Sequence, residues 1–327
     1  MTKHDRQNFL GAKSEQDLKR AKVGIIGLGG GGSHVVQQLA HLGVGNYVLV
    51  DPDVIDETNL NRLVGGTLED VKRRTLKVDI AERVIRAVVA DANISAHPTQ
   101  WQEVSKELQT CDVLIGCLDA VAAKDQLDKF CQRFLIPYID IGMDVHKVGA
   151  GFLISGQVVL ITPGSPCLRC MGLVTEEALA QEARNYGAAG GKPQVVWPNG
   201  LLASTAVGLF TQLICPWHGE TRASAFLEYD GNKGTLLPSK GFAFIEGRPC
   251  SHSYPDEAGD PLFDIRQGQQ RVRVPAPVQG QGLVKGLQSA WQWLRNLMVT
   301  RSAVAAPNQA SALLDRAAEA APHAAGR

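Results

Sequence analysis

Six consecutive residues, Gly27-Leu28-Gly29-Gly30-Gly31-Gly32, satisfy the spacing G-x-G-x-x-G between an apolar run and a stretch of helical periodicity. Glycine here lets the backbone approach a phosphate, and the start of the following helix offers N–H groups with no internal partner. The spacing alone serves a dinucleotide as well as a nucleoside triphosphate, and a bare glycine-rich turn needs no ligand. Asp51 ends the next apolar run about 20 residues further on, where an acid takes the hydroxyls of a ribose. A solvated acid at a strand end is the alternative; the spacing from the glycine loop favours the ribose. A second kind of chemistry is written in Cys167-Leu-Arg-Cys170, which follows the turn-rich Pro163-Gly-Ser-Pro166. Two thiolates at that spacing on a turn suit part of a tetrahedral zinc site.

These groups need elements to hold them. Residues 22–27 (KVGIIG) are β-rich with no room for charge, the mark of a strand buried in a parallel sheet. Residues 33–42 have helical spacing and stop at Gly43, a residue suited to a left-handed helix end. Residues 46–51 (NYVLVD) form the next strand. Strand, glycine turn, helix and strand in this order open a doubly wound nucleotide-binding fold. The alternation predicts a helix at 71–89, strands at 93–99 and 111–118, a helix at 122–135 and a strand at 138–141. Glycine-punctuated β-structure at 148–161 predicts antiparallel strands added to the sheet. A helix at 199–214 and strands at 223–229 and 235–237 follow a polar connection at 171–198. The expected fold class is α/β: a doubly wound, Rossmann-like, mainly parallel sheet with antiparallel strands in the C-terminal half. Residues 1–265 form the expected domain, and residues 266–282, rich in Gln, Gly, Pro and Val, read as a linker. Leu283, Leu287, Trp291, Leu294 and Met298 give one apolar face to a helix at 283–299, and the Ala-rich 300–327 reads as a disordered tail.

Composition narrows the function classes. The 33 Lys and Arg balance 33 Asp and Glu across 327 residues, without the basic excess of a general nucleic-acid or acidic-membrane binder. No apolar run reaches the ~18–20 residues of a membrane span, and the polar start Met1-Thr2-Lys3-His4 is unlike a signal peptide. Seven cysteines with a single close pair suit a reducing compartment and a metal better than a disulfide framework. The chain is expected in the cytoplasm, with neither nucleic acid nor membrane as partner.

The stretch after the second strand separates the candidate nucleotides. Asp51-Pro-Asp-Val-Ile-Asp-Glu-Thr-Asn59-Leu60-Asn61-Arg62 resembles the D-x-D-x-V-x-x-x-N-L-x-R pattern of the ThiF/MoeB and ubiquitin-activating superfamily, which dinucleotide dehydrogenases lack. Further pieces stand in the expected order: Arg6-Gln7, Leu42-Gly43-Val44-Gly45, Lys77, Cys-Leu-Asp119, Pro137, the Cys167/Cys170 pair and Asn199-Gly-Leu-Leu-Ala-Ser. The resemblance covers roughly residues 6–260. It implies ATP-dependent adenylation of the C-terminal glycine carboxylate of a ubiquitin-like or sulfur-carrier protein ending in Gly-Gly. A downstream conjugating or sulfur-transfer enzyme would then receive the product. By the same resemblance Gly27, Gly29, Gly30, Gly32 and Asp51 bind the nucleotide, while Asn59, Arg62 and Lys77 surround the triphosphate. Asp119 holds Mg²⁺, and Arg6 reaches across a homodimer to the partner's ATP. Fixed cations lower the barrier because attack on the α-phosphorus builds charge on the phosphoryl oxygens and the leaving pyrophosphate. Two departures stand out: Leu63 where the family often has Gln, and Leu118-Asp119-Ala120 where it often has T-D-N.

Family members usually complete a structural zinc site with a second C-x-x-C; here only Cys250 matches, in Pro249-Cys250-Ser251-His252. The expected ligands are Cys167, Cys170, Cys250 and His252; Cys215-Pro-Trp-His218, or no metal, are the alternatives. Residues 171–198, where thioester-forming members place their nucleophile, contain no cysteine, which favours adenylation without transfer to a thiol in that loop. The competing readings are a dehydratase adenylating a tRNA-bound carboxylate, a non-catalytic scaffold subunit and an NAD oxidoreductase.

Overall fold

Short runs of Val, Ile and Leu in the first half of the chain leave a strand no polar face, so each must be covered on both sides. The structure, a computed structural model, describes residues 4–184, 193–219, 222–248, 250–252 and 259. After a 3₁₀ turn at Asp5–Leu10 the elements are α1 (Ser14–Arg20), β1 (Lys22–Ile26), α2 (Gly30–Leu42), β2 (Asn46–Val50), α3 (Leu68–Arg73) and α4 (Lys77–Arg86). Then come β3 (Asn93–His97), α5 (Ser105–Leu108), β4 (Val113–Gly116), α6 (Val121–Phe134), β5 (Tyr138–Val148) and β6 (Gly151–Ile161). The last are α7 (Glu176–Arg184), α8 (Val196–Ile214), β7 (Ser224–Asp230) and β8 (Thr235–Pro238). The expected linker, amphipathic helix and tail at 266–327 lie outside the described residues.

The strands form one eight-stranded sheet in the order β3-β2-β1-β4-β5-β6-β7-β8. Neighbours from β3 to β5 run parallel, and from β5 to β8 antiparallel. Side chains alternate between two cores. Tyr47 and Leu49 of β2 face a layer with Leu18, Val36, Leu39, Ile85 and Phe210, from α1, α2, α4 and α8. Val48 and Val50 face Leu108, Leu127, Phe130 and Leu168 on the other side. Strand order reverses between β1 and β4, so a crevice opens beyond their carboxyl ends, the ligand position in open α/β sheets. No helix among the described residues is long and apolar enough to cross a membrane.

Three sequence expectations change in detail. The helix expected over 71–89 is two helices, because Arg74 turns left-handed (φ 54°) and ends α3. The residues freed there pair with the loop after β2: Ile55 N donates to Thr75 O, and Lys77 N to Asp53 O. The strand expected at 138–141 extends to Val148 and makes a long antiparallel pair with β6. Within the polar connection expected at 171–198 lies a helix, α7.

A buried ion pair fastens α6 to the sheet. Lys124 Nζ donates to both oxygens of Asp140 at 2.8 and 2.7 Å and to Ile141 O at 2.9 Å, while Tyr138 Oη donates to Asp140 Oδ1 at 2.8 Å. Asp140 is 0% exposed, so removing the ammonium alone leaves a buried, uncompensated carboxylate. Lys124→Met is expected to lower the unfolding free energy by about 3–5 kcal/mol. Chemical denaturation measures this, and adding Asp140→Asn in the same chain should recover part of the loss.

Candidate nucleotide site and metal centre

The glycine loop joins β1 to α2 at the strand-order reversal. Gly27 has φ +88°, and a Cβ there would lie 2.5 Å from the Cys117 carbonyl oxygen at the end of β4. A Cβ on Gly32 would lie 1.9 Å from the Gly27 carbonyl oxygen, and one on Gly30 would lie 2.6 Å from Asn199 Nδ2. Gly27 and Gly32 are required by close approach to backbone, whereas a side chain at Gly30 would have to displace the Asn199 amide. Gly29 is different: nothing lies within 4 Å of where its Cβ would be, so the loop faces open space at that residue. Gly29 is also the N-cap of α2 and supplies no side-chain acceptor, which leaves the first amides of a 13-residue helix available to an anion.

The loop is tied on two sides. Asp51, 5% exposed, accepts from Leu28 N at 2.6 Å through Oδ2 and from Asp53 N at 2.9 Å through Oδ1. Burial pushes its carboxyl above the ordinary range, against the pull of Lys77 and these two amides. The contacts the structure shows for Asp51 are therefore structural ones to its own chain. A carboxylate has about four acceptor positions, so two amides leave capacity for a ribose hydroxyl. Ser33 makes the second tie: its hydroxyl donates to Gly30 O at 3.0 Å and accepts from Val64 N at 2.9 Å. Nothing in its spacing marked it beforehand.

The phosphate candidates sit in different states. Lys77 opens α4 and is held 2.7 Å from Asp53 and 3.8 Å from Asp51, so an incoming phosphate must compete for its ammonium. Arg62 donates to Thr58 O and Asn61 Oδ1 and, among the described residues, has no acidic partner. Asn59 is buried and closes a capping box with Asp56. Asp119, beyond β4, is exposed; it accepts from Gln194 Nε2 at 3.1 Å and has no cationic partner among the described residues. The Gln194 carbonyl accepts from Asn61 Nδ2 at 2.9 Å, so this one residue spans the Arg62 loop and Asp119. Gln194 stands in no motif that marks it.

Arg6 is not brought to this group. Gln7 beside it donates to Leu42 O at 2.9 Å, which pins the N-terminal turn to the far end of α2. Twelve helical steps separate that end from Gly30, about 18 Å at 1.5 Å per residue. Within one chain the exposed Arg6 belongs to another part of the surface.

The four expected metal ligands do come together: one ligand atom from each of Cys167, Cys170, Cys250 and His252 lies within 4.8 Å of all the others. Sγ–Sγ distances are 3.7 Å for Cys167–Cys170 and 3.7 Å for Cys170–Cys250. A disulfide needs about 2 Å, whereas Zn–S bonds of about 2.3 Å give tetrahedral edges of about 3.8 Å. His252 Nδ1 lies 3.6 Å from Cys167 Sγ and 3.2 Å from Cys170 Sγ. Three sulfurs and one nitrogen at tetrahedral-edge spacing fit Zn²⁺ in donor type and number. Hydrogen bonding among the thiols holds Cys250 well below its ordinary range and pushes Cys167 up, so one proton is shared within the group. Two acids one turn apart on α6 grip the knuckle: Asp128 accepts from Leu168 N at 2.8 Å, and Asp125 takes the Arg169 guanidinium at 2.6 and 2.9 Å. The alternative pair is not assembled: Cys215 is buried with Sγ 3.9 Å from Ser14 O, and the His218 ring meets Gln212.

A model described as the ThiF family matches residues 3–243 of the chain. The chain belongs to the ThiF family. Among curated relatives, this ThiF-family chain is 29% identical over 174 residues to the SAMP-activating enzyme E1 of Haloferax volcanii, covering 52% of this chain and 60% of that protein. It is 30% identical over 213 residues to the sulfur carrier protein ThiS adenylyltransferase of Escherichia coli, covering 64% and 79%. The chain thus spans less than two thirds of the Haloferax volcanii relative. The crystal structure of E. coli MccB with succinimide superposes with a TM-score of 0.60 at 19% identity, over 81% of this chain and 74% of that one, a likeness of fold.

The metal assignment is open to direct measurement. Purified protein is expected to carry about one zinc per chain, read by atomic emission. Cys170→Ser should lose the metal and lower the melting temperature. A metal-free wild-type chain of unchanged melting temperature would remove zinc from the structure.

Proposed function

We propose that this chain adenylates a carboxylate: the C-terminal glycine of a ubiquitin-like or sulfur-carrier protein ending in Gly-Gly. One carboxylate oxygen attacks the α-phosphorus of ATP. The bond to the α–β bridging oxygen breaks, and pyrophosphate leaves with the electron pair. The observation that carries this reading is the placement of three different groups around one crevice. Among the described residues, no side chain caps the α2 amides that begin at Gly30, Arg62 has no acidic partner, and Asp119 stands at the neighbouring strand end with no cation. A scaffold has no need of this set, and an NAD enzyme has no use for the acid at position 119. The relatives named for adenylylation and carrier activation support the same reading.

Asp119 would hold Mg²⁺, which when bound neutralises phosphate charge and takes one or two protein carboxylates beside phosphates and water. Arg62 and Lys77 would stabilise the charge that develops on the phosphoryl oxygens, Lys77 leaving Asp53 to do so. Residues 171–198 offer no thiol, so the adenylate passes to a separate conjugating or sulfur-transfer enzyme. The position of Arg6 at the far end of α2 supports a homodimer in which it serves the partner's crevice.

With ATP, Mg²⁺ and a ubiquitin-like protein ending in Gly-Gly, the wild-type chain is expected to catalyse ATP–pyrophosphate exchange. Asp119→Ala should reduce it by about 100-fold or more at an unchanged melting temperature, because the side chain is exposed. Arg6→Ala should also be slow, and mixing it with Asp119→Ala subunits should restore part of the rate by forming one intact composite site. Full exchange in Asp119→Ala would contradict the mechanism, and a mixture no faster than its parts would contradict the dimer.

A further inference from the structure

Helix α6 begins two residues after Asp119, and its N-cap is Ala120, which has no side-chain acceptor. The first amides of a 14-residue helix are left to find partners elsewhere. They find one carboxylate about sixty residues downstream. Val121 N donates to Glu182 Oε1 at 2.9 Å, and Ala122 N donates to Glu182 Oε2 at 2.8 Å. Glu182 thus brings a second acid to the helix end that already carries Asp119, at the edge of the crevice where β1 and β4 diverge. Two like charges at one place repel, and the positive end of α6 offsets this. The chain has seated a carboxylate of its own on a pair of amides next to the candidate catalytic group.

The element that carries Glu182 is lightly held. No residue of α7 is buried. Leu179 rests partly buried against the second core, and Glu176 makes an ion pair with Arg169 from a largely exposed position. The two bonds that Glu182 accepts tie α7 to the end of α6. A helix with so few buried contacts opens at low cost.

We propose that Glu182 is a displaceable latch. It occupies the Val121 and Ala122 amides in the free chain and yields them to the terminal carboxylate of the carrier protein, which releases α7 from the crevice. This rests on the adenylation reading. Exchange of one carboxylate for another keeps α6 capped throughout, so the helix bearing Asp119 at its start stays fixed while α7 moves. The departure of Ala120 from the family's Asn gains a physical meaning here: without a local cap, α6 depends on whichever carboxylate is seated.

The full-length chain tests this, with N-acetyl-glycylglycine as the carboxylate probe and a non-hydrolysable ATP analogue with Mg²⁺. Hydrogen exchange is followed at 121–122 and at 176–184. In the wild type, the probe should speed exchange across α7 while Val121 and Ala122 stay protected. In Glu182→Gln, α7 should exchange fast without the probe. Half-saturation by the probe should fall about five- to tenfold, because no internal competitor remains. Calorimetric affinity for the ATP analogue should not change. If Glu182→Gln proves unstable, Glu182→Asp, one methylene shorter and unable to span both amides, is read in the same way. An α7 that the probe leaves unmoved in the wild type, or equal α7 exchange in Glu182→Gln and wild type, overturns the latch while the adenylation reading stands. Failure of the wild type to bind the ATP analogue overturns both.

Discussion

The peptide of Gly32 passes so close to that of Gly27 that a single methyl group on Gly32 would lie 1.9 Å from the Gly27 carbonyl oxygen. Much of the site depends on this contact. It lets β1 turn into α2 within a few residues, so the helix begins directly beyond the sheet with its first amides facing the crevice. It brings Gly27 under the Cys117 carbonyl and so sets the spacing between the two strand ends that carry the loop and Asp119. Asp51 holds the same turn from β2 through the Leu28 amide, and Ser33 holds it to the Arg62 segment. A nucleotide entering here meets a backbone fixed beforehand, and preorganised donors are the most effective kind because they need no rearrangement as charge develops.

Helix α6 is the second organising element, and its polar residues explain its role. Its first amides donate to Glu182, Lys124 anchors it to Asp140 of β5, and Asp125 with Asp128 holds the cysteine knuckle farther along. One rigid helix therefore connects the candidate phosphate end to the candidate zinc end. Burying Asp128 almost completely raises its carboxyl to about 7, chiefly through lost solvation, with the Leu168 amide opposing. A metal at the knuckle would order the turn that α6 grips and, through α6, the residues beside Asp119.

Local chemistry legible in the sequence reappears in the structure where covalent spacing or short-range sterics decide it. The glycine turn, the Gly43 helix end with φ 92° and the switch from parallel to antiparallel pairing are of this kind. Only nearness to Cys250 along the chain marks His252 as a ligand candidate, and the fold brings both to Cys167 and Cys170. Long-range pairings left no trace. Glu182 and Gln194 act on residues sixty or more positions away, and neither stands in a motif. Arg74 breaks a helix that periodicity draws through it, because the extended pairing of 75–77 with 53–55 outweighs local propensity. Asp51 shows the opposite case: its spacing points to a ribose, while its visible contacts hold the loop that would bind the phosphates.

The central claim is that a carboxylate oxygen forms a bond to the α-phosphorus in the crevice between β1 and β4. Labelling the terminal carboxylate of a Gly-Gly carrier with heavy oxygen tests this directly. After turnover with ATP and a nucleophilic acceptor, the account predicts one labelled oxygen in the released AMP and none in pyrophosphate, read by mass spectrometry. AMP without label, or label in pyrophosphate or phosphate, would contradict adenylation at this site.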